Sequence, residues 1–200
     1  MAKTTLLCLS LLAVLCINAS AANSAATNPK ASKFVTSACS TTTYPQTCIE
    51  SLAVFSPKIR NNDHGQLAMT SLLVSLSRAR SAKLYVARFL KAPGMRKREL
   101  GAVRDCLEEL DDVADRIDKS VKELKSLARK RKGPEFDLSV SNVLTWVSAA
   151  VTDENTCVDG FAGKAMDGRV KTAVRKRAVN VIEVTSNALA LCNLYAKKLK

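Results

Sequence analysis

The sequence has little of what most catalytic and metal sites require. Its 200 residues include one histidine, His64, and no Cys-x-x-C pair. A zinc site or a thioredoxin-like redox centre therefore lacks its usual ligands or thiol spacing. His64 lies in a polar turn with no nucleophile beside it, and there is no phosphate-binding glycine motif. The chain is accordingly not predicted to be an enzyme, and no metal and no cofactor are expected.

Aromatic residues and long apolar runs are also scarce. Phe, Trp and Tyr make up 4% of the chain, which leaves few platforms for base stacking, so nucleic acid is not an expected partner. The apolar run at 6–17 is shorter than the about 20 residues of a membrane-spanning helix. It follows Lys3 and precedes Ala19-Ser20-Ala21, which is the pattern of a secretory signal peptide. We therefore expect residues 1–21 to be removed and the mature protein to be secreted.

Basic residues, by contrast, are in excess. Removal of Lys3 with the signal peptide lowers Lys plus Arg from 31 to 30, against 18 Asp plus Glu, a formal charge of +12. Outside a cell this favours an acidic polysaccharide or an anionic membrane surface as partner. Alternatively, the basic residues only make the surface soluble and lie at helix ends, where the C-terminal dipole favours cations. Three clusters are candidates for polyanion binding: Arg96, Lys97 and Arg98; Arg129, Lys130, Arg131 and Lys132; and Arg175, Lys176 and Arg177.

Helical periodicity dominates the rest of the chain. Apolar residues recur at steps of three and four in 66–91, 97–131, 138–162 and 169–199, and no segment alternates like a strand. The sequence predicts an all-α fold, an up-down-up-down four-helix bundle over 61–200 with a helical hairpin at 34–60. Residues 34–200 would form one domain after a mobile arm at 22–33. The predicted stripes include Met69, Leu72, Leu76, Ala79, Val86 and Leu90, then Leu100, Val103, Leu107, Leu110, Ala114, Ile117, Val121, Leu124 and Ala128.

Five cysteines remain after the signal peptide, and secretion favours disulfides among them. The stretch "CSTTTYPQTC" at 39–48 suits a local disulfide that clamps a short turn. A bond between Cys106 and Cys157 would join two neighbouring helices, and Cys192 lies on an apolar stripe where a buried free thiol fits. The residues alone leave these other pairings open.

Four stretches resemble the plant invertase and pectin methylesterase inhibitor family: "SACSTTTYPQTCIESL", "AVRDCLEELDDVADRIDKS", "WVSAAVTDENTCVDGF" and "SNALALCNLY". The resemblance runs from about residue 34 to 195. It implies disulfides Cys39–Cys48 and Cys106–Cys157, a free Cys192, and a four-helix bundle with an N-terminal hairpin. It also implies a protein without catalytic activity that binds and blocks plant cell-wall enzymes in the apoplast.

Two polar stripes are candidate binding residues. Glu108, Asp112 and Asp115 follow i, i+4, i+7 spacing, and so do Thr152, Thr156 and Asp159, so each set shares one helix face. On spacing alone, a solvated outer face is the usual interpretation of such a stripe on a bundle helix. The resemblance implies that these positions contact pectin methylesterase in a 1:1 complex and that the bundle occludes the pectin-binding cleft.

Two other functions remain as alternatives. Acid invertase is the rival target, but the Pro-Lys-Phe tripeptide frequent in the family's invertase inhibitors is absent, and Pro134-Glu135-Phe136 is the nearest string. A cationic membrane-active protein is the remoter alternative. The acidic row from Asp105 to Asp115 argues against it, so membrane binding is not expected. Polyanionic pectin is a further expected partner.

Overall fold

The computed structural model of the protein describes residues 30–127 and 130–199. The predicted signal peptide and residues 22–29 of the predicted arm lie outside these residues, as do Ala128, Arg129 and Lys200. The described part contains no strand and six α-helices: α1 (Lys33–Cys39), α2 (Pro45–Ala53), α3 (His64–Ala87), α4 (Lys97–Leu127), α5 (Pro134–Asp159) and α6 (Arg169–Leu199). Because the Ser32 side chain caps α1 by accepting a hydrogen bond from Val35 N, the predicted arm overlaps α1 at Lys33.

Helices α3 to α6 form an antiparallel four-helix bundle. Helix α4 packs between α3 and α5, and α6 packs against both α5 and α3, which closes the ring. The chain reverses direction in short connections, two of which place a glycine in the left-handed region: Gly94 at φ 74° and Gly163 at φ 78°. The predicted all-α, up-down-up-down bundle is confirmed. None of the helices in the described part has the length and apolar character needed to cross a membrane.

The predicted apolar stripes form the centre of the bundle. Because one helical turn takes 3.6 residues, apolar steps of three and four keep each stripe on the inward side. The buried members include Leu72, Leu76, Ala79 and Val86 of α3, Val103, Leu110, Ala114, Ile117, Val121 and Leu124 of α4, Val143, Val147, Ala150 and Cys157 of α5, and Val174, Val181, Ala188 and Cys192 of α6. Ala128, the last predicted position on α4, lies outside the described residues.

Four helix boundaries differ from the prediction. Residues Arg88–Lys91 form a 3₁₀-helix after α3, whose tighter winding takes Leu90 off the stripe and leaves it 43% exposed. Lys130 is no longer helical, so α4 ends before the predicted 131. Helix α5 begins at Pro134 rather than 138 and ends at Asp159. Gly133-Pro134 indicated only the end of one helix, but proline also suits the first position of the next because its φ is already helical.

The N-terminal hairpin of α1 and α2 is tied to itself and to α6. The Cys39–Cys48 disulfide closes the turn between the two helices. The buried side chain of Asn187 on α6 then binds this turn twice. It accepts a hydrogen bond from Tyr44 N (3.0 Å) and donates one to Tyr44 O (2.9 Å). Thr47 donates to Glu183 of α6 at 2.8 Å. The hairpin is therefore fixed on the bundle by these polar contacts and by an apolar cluster that includes Val35, Leu52 and Leu191.

Candidate functional site

The three predicted acidic residues of α4 all point to solvent. Glu108, Asp112 and Asp115 are exposed, while Leu110 and Val113 between them are fully buried. None of the three carboxylates lies within ion-pair distance of a cation of the described residues. We call these three residues the acidic stripe.

Other acids of α4 differ from the acidic stripe because they pair with cations. Asp111 pairs with Lys83 of α3, and Asp118 lies 2.7 Å from Lys122 and 3.9 Å from Arg80. These pairs neutralise the side of α4 that faces α3. The acidic stripe lies on the solvent side of α4, opposite its buried residues.

The predicted polar residues of α5 are also exposed. The hydroxyl of Thr152 donates to Ser148 O at 3.3 Å, and that of Thr156 donates to Thr152 O at 3.1 Å. Each hydroxyl hydrogen is thus used within the helix, and each hydroxyl oxygen remains free to accept a hydrogen bond. Asp159 is the last residue of α5. We call Thr152, Thr156 and Asp159 the threonine stripe.

One disulfide and one ion pair hold the two stripes in register. The Cys106–Cys157 bond joins α4 to α5 with a Cα–Cα distance of 4.2 Å. In the sequence, Cys106 comes two residues before Glu108 of the acidic stripe, and Cys157 lies between Thr156 and Asp159 of the threonine stripe. Arg116 Nε contacts Asp153 Oδ2 at 2.6 Å further along the same seam. The predicted stripes therefore flank a fixed helix–helix contact.

Glu109 belongs to the same seam, and sequence reasoning missed it. Its side chain is half-buried, and burial raises its pKa above the ordinary value. The nearby carboxylates of Asp153, Asp112 and Glu108 raise that pKa further, whereas Arg116 lowers it. The raised pKa thus reflects burial first and then the local density of negative charge. The signal was present as the adjacent pair Glu108-Glu109, but only the helix packing reveals that the second carboxylate turns toward α5.

The predicted basic clusters lie at opposite ends of the bundle. Lys97 and Arg98 are the first two residues of α4, and Arg175, Lys176 and Arg177 lie in the second and third turns of α6. Arg96 links these regions, because its guanidinium donates to Ala165 O at 3.0 Å and Asp167 O at 3.3 Å in the α5–α6 connection. Two of the clusters thus share one end.

The third cluster follows α4 at the other end of the bundle. Lys130 is engaged with Glu123 at 3.1 Å, while Arg131 and Lys132 are exposed. Arg129 lies outside the described residues.

The remaining candidates are structural. Burial raises the pKa of the free Cys192 thiol to about 12, so it carries no thiolate at physiological pH. The His64 ring packs edge-on against Phe34 at 5.1 Å, and burial lowers its pKa. Among the described residues, no group of three or more His, Cys, Asp or Glu side chains is arranged to hold a metal ion.

Comparison with known proteins agrees with this architecture. The family model described as plant invertase/pectin methylesterase inhibitor matches residues 33–191. A carrot (Daucus carota) protein named 21 kDa protein is 46% identical over 100% of this chain and 98% of its own length. Pectinesterase inhibitor 9 of Arabidopsis thaliana is 42% identical over 98% of this chain and 96% of its own.

A solved structure shares the fold. It is a crystal structure of a mutant form of a pectin methylesterase inhibitor from Arabidopsis, which superposes with a TM-score of 0.64 at 20% identity over 82% of this chain and 97% of that one. The family match spans both disulfides, the acidic stripe and the threonine stripe. The chain therefore belongs to the plant invertase/pectin methylesterase inhibitor family.

Proposed function

We propose that this protein is a secreted inhibitor of pectin methylesterase that occupies the pectin-binding cleft of the enzyme. The observation that carries the proposal is the pair of exposed polar stripes flanking Cys106–Cys157 in a member of an inhibitor family. Relatives that match over nearly the whole chain are named pectinesterase inhibitors, which favours this target.

The acidic stripe and the threonine stripe together form a surface that we call the α4–α5 face, and this face suits inhibition by occlusion. The carboxylates of the acidic stripe have no ion pair among the described residues, so no internal salt bridge has to break when a partner's donors approach them. The side chains project from two long helices joined by a disulfide, which reduces the ordering cost of binding. The inhibitor supplies no chemistry in this mechanism. It excludes the polymer by filling the space that the polymer needs, and one such face per chain favours a 1:1 complex.

Acid invertase is the alternative target within the same family. The deciding experiment titrates the purified protein against a pectin methylesterase and an acid invertase side by side. We expect pectin methylesterase activity to fall linearly to near zero at one equivalent of inhibitor, with invertase activity unchanged. Loss of invertase activity with pectin methylesterase unaffected would assign the other target.

Secretion to the cell wall is part of the proposal because pectin is located there. The segment that would direct secretion, residues 1–21, lies outside the described residues. Expression of the full chain in plant cells tests it. N-terminal sequencing of protein recovered from the wall should begin at Ala22. Retention of the intact chain inside the cells would contradict secretion.

A further inference from the structure

The basic clusters at the α3–α4 and α5–α6 connections oppose the helix dipoles on which they lie. Lys97 and Arg98 occupy the first turn of α4, and Arg169 and Lys171 occupy the first turn of α6. The N-terminal end of a helix carries partial positive charge, so cations there are electrostatically disfavoured. Lys171 is compensated by Asp167 at 2.8 Å, but Lys97, Arg98 and Arg169 have no carboxylate within 4.0 Å among the described residues. Helix stability therefore does not explain these cations.

Chain topology brings these cations to one end of the bundle. The hydrogen bonds from Arg96 to the carbonyls of Ala165 and Asp167 join the α3–α4 connection to the α5–α6 connection. Arg177 packs its guanidinium over the Tyr85 ring at 4.7 Å, which ties α6 to the C-terminal end of α3 at the same level. We call this end the basic end and define it by Lys91, Lys97, Arg98, Arg169, Arg175 and Lys176.

The side chains of the basic end are available to a ligand. Five of the six are exposed, Arg175 is half-buried, and none is paired with a carboxylate of the described residues. The cations that do find carboxylates there, Arg96 with Glu99 and Lys171 with Asp167, help to hold the backbone of the two connections. Three of the six are arginines, whose planar fork fits a carboxylate with two parallel hydrogen bonds.

The basic end adjoins the proposed enzyme-binding face at Asp159, the last residue of α5, but includes no residue of the two stripes. Glu108 follows Arg98 by ten residues on the same helix, which corresponds to about 15 Å along its axis. The sign of the surface charge reverses over that distance. A polyanion held at the basic end would therefore leave the acidic stripe free.

We propose that the basic end binds de-esterified, polyanionic galacturonan, the product of the enzyme that the α4–α5 face blocks. This inference rests on the proposed function. Hydrolysis of a methyl ester in pectin replaces a neutral group with a carboxylate, so product and substrate chains differ in charge. A cationic surface next to the inhibitory face distinguishes them by charge alone, and it concentrates the inhibitor where its target has already acted.

Direct binding of the mature protein to polymers, without any enzyme, tests the proposal. Polygalacturonate should bind at low ionic strength and release the protein as salt is added, because screening weakens contacts between exposed charges. Highly methyl-esterified pectin should bind poorly. Anionic phosphatidylserine vesicles should bind more weakly than polygalacturonate at equal charge. Equal binding to both pectins, no binding to either, or preference for the vesicles overturns the proposal.

Two matched double variants locate the site. Arg98→Gln with Lys176→Gln removes two charges from the basic end, whereas Arg131→Gln with Lys132→Gln removes two exposed charges from the opposite end. We expect the first to weaken binding to polygalacturonate about five- to tenfold and the second to leave it within about twofold. Equal losses would mean that net charge alone determines binding and would overturn the site.

Inhibition assays on a small soluble ester substrate, with no polymer present, separate this inference from the proposed function. The Arg98→Gln/Lys176→Gln variant should inhibit pectin methylesterase as well as the parent does. If the variant loses polymer binding but still inhibits, the basic end is supported as a separate site. If it loses both, the claim of two separate sites is overturned. A parent protein that binds polygalacturonate but inhibits no enzyme contradicts the proposed function alone.

Discussion

Helices α5 and α6 are neighbours that bury the same kind of apolar stripe, yet they carry opposite charge. Helix α5 contains five acidic residues and no Lys or Arg, whereas α6 contains seven basic residues and one acid, Glu183. The acids of α5 are Glu135, Asp137, Asp153, Glu154 and Asp159, and the bases of α6 are Arg169, Lys171, Arg175, Lys176, Arg177, Lys197 and Lys198. Since both helices pack equally well, the charge of their outer sides is not what determines the fold.

The same contrast extends to their partners in the bundle. Helix α3 has three basic residues and no acid, while α4 has nine acids and seven bases. The α4–α5 side is therefore the acidic half of the molecule and the α3–α6 side the basic half. Such polarisation brings no packing benefit, and it is suited to two partners of opposite charge.

The largest expected effect comes from breaking the covalent link of the acidic half. Replacing both Cys106 and Cys157 with alanine opens a loop with a sequence separation of 51, which costs about 4 kcal/mol of stability in the chain-entropy model. The same change at Cys39 and Cys48 opens a separation of 9 and should cost about 2.5 kcal/mol. Denaturant unfolding at constant pH measures both. A larger loss from the hairpin disulfide would contradict this ordering.

The second effect is reversal of charge on the acidic stripe. Asp112→Lys with Asp115→Lys should weaken inhibition of pectin methylesterase about a hundredfold, equivalent to about 2.8 kcal/mol. The reason is that two lysines would meet enzyme groups that favour carboxylates. Both residues are exposed and unpaired among the described residues, so the melting temperature should change little. Steady-state inhibition constants and thermal unfolding are the measurements.

The matched control reverses the same amount of charge at the other end of α5. Glu135→Lys with Asp137→Lys alters two exposed acids in the first turn of that helix, far along the sequence from the acidic stripe. Inhibition should remain near that of the parent, although loss of favourable N-terminal charge lowers stability slightly. If both double variants weaken inhibition equally, net charge rather than the α4–α5 face governs binding.

The sequence predicted the bundle because its apolar periodicity is nearly unbroken. The steps from Val103 to Leu124 leave no alternative to one long helix, and the structure buries that stripe. Boundaries were less predictable because Gly133-Pro134 ends one helix and also begins the next. The acidic stripe could be proposed from spacing. Which acids of α4 are paired could not, because a partner can lie on another helix, as Lys83 of α3 does for the neighbouring Asp111.

Contacts between distant segments were the least predictable feature. Asn187 shows why, because nothing near it in the sequence indicates that its amide binds the backbone of Tyr44, 143 residues away. The shared end of two basic clusters follows from the up-down-up-down topology, which brings the α3–α4 and α5–α6 connections together. The contact of Arg96 with the carbonyls of the other connection was not predictable.

A third effect tests how the basic half holds the N-terminal hairpin. Asn187→Ala removes both hydrogen bonds to Tyr44. It leaves the part-buried N–H of Tyr44 without a partner, whereas Tyr44 O still accepts from Cys48 N, and the loss should cost about 2 kcal/mol. Asn193→Ala on the same helix is the control, because its side chain is exposed and bonds only Leu189 O of its own helix. Chemical denaturation should show the first loss and not the second. Similar stabilities for both variants would mean that the hairpin is held by apolar packing alone.

The last effect depends on pH and concerns the one acid of α5 that faces inward. Glu154 is fully buried; its Oε1 lies 2.6 Å from Thr185 Oγ1 of α6, which is 2.6 Å from Ser75 Oγ of α3. Its Oε2 has no hydrogen-bond partner among the described residues. Burial raises the pKa of Glu154 from 4.5 to about 8, the Thr185 contact lowers it in part, and Asp153 raises it slightly.

The raised pKa of Glu154 fixes the sign of its effect on stability. The folded state keeps this proton over a pH range where the unfolded state has lost it, so the contribution to stability is full below pH 4.5 and declines as pH rises toward 8. Glu154→Gln keeps the shape and cannot ionise. The melting temperature of the variant relative to the parent should therefore increase steadily from pH 4 to pH 8. Parallel curves for the two proteins over this range would show that Glu154 titrates normally and that the acidic charge of α5 extends into the core.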